Sequence, residues 1–150
     1  MEKRRTHVLQ WHPAFYADIQ IELEAEAGLL IFENEHQLGT KPKEIDVLIV
    51  KKEQEVPVRK NIGRIFRKYN IVEYKSPTDY LSIDDFYKVY GYACFYKADT
   101  SREDSIKIQD ITITFVCHRY PRSLIRHLKE ERGYQITGVE DGIYYIIGDK

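Results

Sequence analysis

The stretch NIVEYKSP, residues 70–77, decides how the rest of the chain is interpreted. Ile71 and Val72 supply the β-branched bulk that is typical of a buried strand. Glu73 and Lys75 lie two residues apart, and alternation along a strand points both side chains to the same face. Charged side chains are rarely buried without a partner or a chemical role. The pair therefore indicates either a structural ion pair or a functional site.

Segments on both sides of this strand alternate between helix and strand patterns. Pro13 suits a first helical position, Ser82 with Asp85 forms a capping-box pattern, and Asp141-Gly142 is a hairpin turn. The predicted elements are a helix at 13–27, strands at 29–38, 44–50 and 70–75, a helix at 82–97, a strand at 108–116, a helix at 121–128 and a final hairpin. This order predicts a single α/β domain, residues 1–150, with a mixed central sheet flanked by helices.

Composition restricts the classes of function. The net charge of −1 gives no global field that recruits an acidic polymer, so contact with nucleic acid has to use local basic patches. Cys94 and Cys117 lie far apart without paired spacing, which predicts neither a zinc ribbon nor a disulfide framework. The sequence shows no signal peptide and no apolar run long enough for a bilayer, so we expect a cytoplasmic protein without membrane contact.

A third ionisable group accompanies Glu73 and Lys75. Asp46 alternates with Leu48 and Val50 on the preceding strand. If the two strands are neighbours, two carboxylates and a lysine converge, and paired carboxylates suit a hard cation such as Mg²⁺. A lysine beside them can orient the attacking water or neutralise charge on a phosphate oxygen, which suits hydrolysis of a phosphodiester. A plain ion pair of Lys75 with Glu73 or Asp46 is the alternative, and spacing alone slightly favours it.

The order of elements around these residues adds weight to the catalytic interpretation. Asp46 followed by Glu73-Tyr74-Lys75 resembles the motif of the PD-(D/E)xK nuclease superfamily. The longer run from KPKEIDVLIVKK to NIGRIFRKYNIVEYKSPTDYLSIDDFYKVYGYA resembles a bacterial group related to the transposase-associated, recombination-promoting nucleases. This resemblance covers most of the chain, from Trp11 to Gly148.

The resemblance implies a restriction-endonuclease-like core and a metal-dependent nuclease site. Asp46 and Glu73 would be ligands of Mg²⁺, with Mn²⁺ as a substitute, and Lys75 would be the catalytic lysine. A carboxylate from the first helix often joins such sites, and Glu22 is the first choice here, with Glu26 in reserve. The chain departs from the pattern in having Ile45 rather than proline before the aspartate.

A long connection between Asp46 and Glu73 is a second departure from the superfamily pattern, and it predicts an inserted loop or helical turn at residues 56–66. On the helix after the motif strand, Lys88 and Tyr92 occupy positions where some relatives place a glutamine and a tyrosine that face the site. Both lie off the predicted core stripe and are candidates for contact with nucleic acid. A solvated lysine with a half-buried tyrosine is the alternative, and the pattern favours it.

Two basic clusters are candidates for contact with nucleic acid. Residues 51–68 contain seven basic side chains, Lys51, Lys52, Arg59, Lys60, Arg64, Arg67 and Lys68, against two acidic ones. The helix after Pro121 carries Arg122, Arg126 and Lys129 away from its apolar residues. Phosphate contacts supply most non-specific affinity for nucleic acid. The expected position next to the catalytic strand favours the first cluster, in particular Lys51, Lys52, Arg64 and Arg67.

The sequence therefore predicts a Mg²⁺-dependent nuclease that acts on nucleic acid, with DNA as the favoured partner. The alternative is a catalytically inactive nuclease-like module that binds nucleic acid or a protein partner. Catalysis needs all three charged groups to converge, whereas binding needs only the basic clusters. The sequence leaves open whether the chain forms a homodimer.

Overall fold

The computed structural model describes residues 11–34, 47–99 and 105–148. In chain order its helices and strands are α1 (Trp11–Glu22), β1 (Leu30–Asn34), β2 (Val47–Lys52), α2 (Asn61–Arg64), β3 (Tyr69–Tyr74), α3 (Ile83–Ala98), β4 (Ile111–Val116), α4 (Arg122–Glu130), β5 (Gln135–Glu140) and β6 (Ile143–Ile147). Short 3-10 turns cover Glu24–Leu29 and Ile108–Asp110.

The central sheet is mixed. Within the described residues, β1 to β4 form a four-stranded sheet in the order β1-β2-β3-β4, and β5 with β6 forms a separate two-stranded sheet. β3 pairs antiparallel with β2 and parallel with β4. A parallel pair needs a long crossover connection, and α3 lies within the connection from β3 to β4.

Successive side chains of the central strands point to opposite faces of the sheet, and each face contributes to a separate hydrophobic core. The core on the side of α1, here the α1 face, contains Ile19, Leu23, Leu48, Val50 and Val72. The core on the side of α3, here the α3 face, contains Val47, Ile49, Ile71, Val89, Tyr92 and Tyr96. Because both faces are covered, β2 and β3 are almost continuously apolar in sequence. The predicted α/β class, with a mixed sheet flanked by helices, is confirmed.

A smaller core lies where α4 meets α3. Leu124 and Leu128 of α4 are buried together with Leu81 and Phe86, and Phe115 of β4 packs against them. Leu81 is two residues before the start of α3, and Phe115 is the penultimate residue of β4. This cluster therefore fixes α4 beside the N-terminus of α3 and the C-terminal end of β4.

Two predicted boundaries are wrong. The first helix ends at Glu22 rather than Ala27, and the chain continues as a 3-10 turn. That tighter turn lets the buried Glu26 carboxylate accept a hydrogen bond from the Arg59 backbone N–H at 3.2 Å. The fourth strand begins at Ile111 rather than Ile108, because the first three residues form a 3-10 turn in which Ile108 is 56% exposed.

Other local predictions are confirmed. Ser82 and Asp85 form the expected capping box at the start of α3. The predicted helical turn between the motif strands is α2, and Gly142 adopts φ 81° in the turn between β5 and β6. The predicted end of the first strand at Leu38 and the predicted start of the second at Glu44 lie outside the described residues.

Asn70 connects β3 to its surroundings through a saturated hydrogen-bond network. Its side chain is 0% exposed. The amide nitrogen donates to the carbonyls of Val50 at 2.9 Å and Arg67 at 2.7 Å. The amide oxygen accepts from the Arg67 N–H at 2.8 Å and from the Thr112 hydroxyl at 2.6 Å. These bonds use the full capacity of the amide and join β2, β3, β4 and the loop before β3.

Two threonines on β4 test the value of this network. Thr112 donates to Asn70, whereas the Thr114 hydroxyl oxygen is buried without a hydrogen-bond partner in the described part of the chain. We expect Thr112→Val to lower the free energy of unfolding by about 1–2 kcal/mol, because Asn70 loses a donor. Thr114→Val should leave it unchanged or raise it by up to about 1 kcal/mol, because an unsatisfied hydroxyl is removed. Urea denaturation of both variants measures these changes, and equal shifts would contradict the assignment.

Candidate functional site

Glu73 and Lys75 lie where β3 ends. Glu73 is two residues after Ile71 and lies on the α3 face, half-buried between Val47 on β2 and Phe115 on β4. Lys75 directly follows the last residue of β3, and its backbone N–H donates to the Val116 carbonyl at 2.8 Å. This bond continues the pairing with β4, so the sequence-predicted pair lies at a sheet end between two neighbouring strands.

The structure gives Lys75 a partner on α3. The Lys75 ammonium lies 2.9 Å from the Asp85 carboxylate, with side-chain exposures of 21% and 17%. The second carboxylate oxygen of Asp85 accepts hydrogen bonds from the backbone N–H and the hydroxyl of Ser82. One carboxylate therefore caps α3 and fixes the lysine at the end of β3.

These contacts affect the ionisation of Asp85. Partial burial acts to raise the pKa of its carboxyl, but the hydrogen bonds from Ser82 and Lys75 together outweigh burial and lower the pKa below its ordinary value. Asp85 is a functional candidate that sequence reasoning missed. Its capping pattern with Ser82 was visible in the sequence, but its contact with Lys75 depends on how α3 packs against the sheet.

Asp46 lies outside the described residues, so its convergence with Glu73 stays a prediction. Val47 is the direct partner of Glu73 in the antiparallel pairing, so Asp46 is next in sequence to a residue opposite the glutamate. Leu48 and Val50, with which Asp46 alternates, belong to the α1 face, whereas Glu73 belongs to the α3 face. A site shared by both carboxylates therefore requires the chain to leave regular alternation before Val47.

The donor set can be compared with the needs of a divalent cation. In the described ranges, no group of three or more His, Cys, Asp or Glu side chains is arranged to hold a metal ion. Mg²⁺ is commonly held by one or two carboxylates together with water and substrate phosphates, rather than by a cage of protein ligands. Glu73, with its Oε2 atom buried at the sheet end, and Asp46 are oxygen ligands of the type that fits Mg²⁺.

The two candidates for a carboxylate from the first helix have other contacts. Glu22 lies at the end of α1 and is exposed, with an oxygen 3.6 Å from the Lys60 ammonium. Glu26 is buried and accepts from the Arg59 backbone N–H. Glu22 ends the helix that covers the α1 face and Glu26 follows it, whereas Glu73 projects from the α3 face. The described contacts do not bring either carboxylate to Glu73.

Tyr92 does not lie off the core stripe, and that prediction is wrong. Its side chain is 2% exposed and stacks with Tyr96 at a centroid distance of 6.4 Å. The buried side of α3 is wider than predicted, because the helix packs against both the sheet and α4. Tyr92 is therefore a core residue in this structure, while Lys88 is exposed as expected.

The first and last residues of the basic cluster at 51–68 lie at the other end of β3. Lys51 is the partner of Tyr69, the first residue of β3, and Arg67 and Lys68 directly precede that strand. Tyr69 and Glu73 are four positions apart on β3, which corresponds to roughly 13 Å of strand. The expected position next to the catalytic pair is therefore wrong for Lys51, Lys52, Arg67 and Lys68, which the pairing brings to the start of β3 rather than its end.

Several side chains of this cluster already have partners within the protein. The Lys51 ammonium lies 2.7 Å from the Glu33 carboxylate, and Lys60 pairs with Glu22. The Arg67 guanidinium donates to the Gln109 carbonyl at 2.5 Å. Arg64 is exposed and Lys52 is half-buried. The cluster is consistent with structural ion pairing as well as with contact to phosphate.

Comparisons of the chain with known proteins did not identify a similar protein. A scan of the chain against models of protein families found no match, and searches of curated proteins and of solved structures found no similar protein. In the part of the chain that the structure describes, no helix combines the length and the apolar character needed to cross a membrane.

Asp85→Asn tests the ion pair through its pH dependence. Because the folded-state pKa of Asp85 is lowered, the charged form contributes stability that is present above the ordinary aspartate value of 3.8 and is lost as pH falls through the folded-state pKa. We expect Asp85→Asn to be less stable than the wild type at pH 7, and the difference to shrink below about pH 4. Urea denaturation over a pH series measures it.

Asp84→Asn provides the matched control, since it removes an exposed carboxylate from the same first turn of α3. A stability difference for Asp85→Asn that does not change with pH, or that equals the control at every pH, would show that the charge of Asp85 contributes nothing through Lys75.

Proposed function

We propose that this chain is a Mg²⁺-dependent nuclease with a restriction-endonuclease-like core of the PD-(D/E)xK type, acting on nucleic acid and in the first place on DNA. The observation that carries the proposal is the placement of Glu73 and Lys75 at one end of β3, with the lysine fixed by Asp85. The order of α1, β1, β2, β3, α3 and β4 supports the proposal of such a core.

Asp46 and Glu73 are the proposed ligands of the cation, with Mn²⁺ as a substitute for Mg²⁺. The bound cation would supply Lewis-acid stabilisation of negative charge on the phosphate. The pairing of Val47 with Glu73 supports a shared site, because Asp46 is adjacent in sequence to Val47. A local departure from strand alternation before Val47 is part of the proposal, since regular alternation would separate the two carboxylates.

Lys75 is proposed to act on the attacking water and on the phosphate. Its ammonium group has three donors, so it can keep the Asp85 contact while donating to a water or a phosphate oxygen. Hydrolysis requires the water oxygen to attack phosphorus, the bridging P–O bond to break and the leaving oxygen to gain a proton. Fixing the ammonium in advance reduces the reorganisation needed as negative charge develops on the phosphate.

One observation favours the non-catalytic alternative. The contact of Lys75 with Asp85 is what a purely structural lysine would make, and it connects β3 to the N-terminus of α3. In that case the chain is a nuclease-like module that binds nucleic acid or a protein partner without cutting. The two functions differ in what the loss of Lys75 does to cleavage, binding and stability.

The decisive variant is Lys75→Met, which retains the apolar stem and removes the charge. We expect it to fold, with a free energy of unfolding about 1.5–3 kcal/mol lower, because Asp85 loses a charged hydrogen-bond partner. Binding of labelled DNA should be unchanged and cleavage in Mg²⁺ abolished. The measurements are cleavage of single- and double-stranded DNA and RNA, a binding assay in EDTA, and urea denaturation, all at a temperature where the variant is folded.

Lys97→Met, at an exposed position in the last turn of α3, is the matched control and should cut like the wild type. Undiminished cutting by Lys75→Met would remove the lysine from the mechanism. A wild-type protein that binds these substrates but cuts none of them in Mg²⁺ or Mn²⁺ would establish the non-catalytic module instead.

A further inference from the structure

The segment from Cys117 to Lys129 is strongly basic. It contains four basic residues and no acidic one in a chain whose net charge is −1. Its basic side chains, all exposed, are Arg119, Arg122, Arg126 and Lys129. Glu130 and Glu131 follow at the C-terminal end of α4, so the basic residues extend from the loop before the helix along the helix as far as Lys129.

Packing of α4 separates its charged and apolar sides. Leu124, Ile125 and Leu128 are buried. Arg122 and Arg126 are four residues apart and lie on the opposite side. The described residues provide no ion pair for these two arginines or for Lys129. Within residues 51–68, by contrast, Lys51, Lys60 and Arg67 are bonded within the protein.

Exposed tyrosines accompany these cations. Tyr120 is 43% exposed and Tyr144 is 46% exposed, and their rings contact edge to face at a centroid distance of 5.1 Å. Tyr80 is also exposed, and its hydroxyl accepts from the Ser123 backbone N–H at 3.4 Å. Aromatic rings beside a cationic surface are the combination that binds single-stranded nucleic acid, because unpaired bases can stack on them.

The location of this surface relates it to the candidate catalytic residues. Leu124 of α4 belongs to the core cluster against which Phe115 packs, and Phe115 is the β4 partner of Glu73. The Lys75 backbone N–H donates to the carbonyl of Val116, the last residue of the same strand. Arg119 and Arg122 follow Val116 within a few residues. The surface formed by α4, Arg119, Tyr120 and Tyr144, here the α4 surface, therefore lies at the same sheet end as Glu73 and Lys75.

We propose that the α4 surface binds single-stranded nucleic acid, with phosphates on Arg122, Arg126 and Lys129 and a base against Tyr120 and Tyr144. A duplex covers the faces of its internal bases, so stacking on these rings favours an unpaired strand. Delivery of that strand to Glu73 and Lys75 rests on the nuclease function proposed above, whereas the binding itself does not.

The test uses the full chain, a fluorescein-labelled 20-nucleotide single-stranded DNA and the same sequence as a duplex, with binding followed by fluorescence anisotropy in EDTA. We expect the double variant Arg122→Glu/Arg126→Glu to weaken single-strand binding at least about tenfold, because two phosphate contacts are replaced by repulsion. The slope of log affinity against log salt should become shallower by about 0.7 for each phosphate that is no longer neutralised.

The matched control is Lys97→Glu/Lys107→Glu, two exposed cations, one in the last turn of α3 and one in the segment before β4. It carries the same change of net charge and should weaken binding less than about twofold, since general attraction is screened beyond a Debye length. Circular dichroism verifies that both double variants are folded. An equal loss of affinity in the control would overturn the assignment to α4.

Tyr120→Ala tests stacking separately from charge. We expect a loss of about fivefold or more in single-strand affinity and little change for the duplex. Unchanged single-strand binding by this variant, or tighter wild-type binding to the duplex, would overturn the single-strand assignment. A wild-type protein that binds as described but never cuts would overturn only the nuclease function, whereas α4 variants that bind normally would overturn only the α4 surface.

Discussion

Strand β3 is paired on both edges and covered on both faces, so each polar side chain on it needs a partner inside the protein or a role at its end. Asn70 meets this requirement at the start of the strand with four hydrogen bonds to three neighbouring segments. Such a network works only in one register, because a shift by one residue would move the amide to the other face. It therefore fixes how β2, β3 and β4 align.

That alignment determines which groups meet at the other end of the strand. With Asn70 opposite Val50, Glu73 lies opposite Val47 and beside Phe115. Lys75 then emerges where α3 begins, and Asp85 is available because the capping box already holds its carboxylate at the helix N-terminus. The Asp85 carboxylate thus caps α3 and also binds Lys75 at the end of β3. Because the cap fixes the carboxylate, it also fixes the position of the Lys75 ammonium.

Short-range features were predictable from the sequence, and the contacts between distant segments were not. The Ser82–Asp85 cap and the Gly142 turn were found because their signals lie within a few residues. The contact of Asp85 with Lys75 depends on the packing of α3 and has no pattern of its own. The exposure of Tyr92 could not be predicted either. How much of a helix surface is buried depends on which other elements pack against it, and α3 packs against both the sheet and α4.

The ranking of the basic clusters failed for a related physical reason. Residues 51–68 are close in sequence to β3, which suggested that they lie beside the motif. They lead into the first residue of β3, however, whereas the motif lies at the last residues, and the length of the strand separates the two. Lys51, Lys52, Arg67 and Lys68 therefore lie at the start of β3, whereas the arginines of α4, far away in sequence, reach the end through the parallel pairing of β3 with β4. Parallel strands bring their C-terminal ends to the same edge, so the residues after β4 were the better candidates.

The proposed nuclease function requires Asp46 and Glu73 to share one cation beside Lys75. Anomalous diffraction from crystals grown with Mn²⁺ tests it most directly, since the signal locates the metal independently of the protein chain. We predict one anomalous peak at the end of β3. It should mark a manganese ion coordinated by an oxygen of Asp46 and an oxygen of Glu73, with the Lys75 ammonium nearby. A structure in which Asp46 lies on the α1 face and no manganese is bound at Glu73 would contradict the claim.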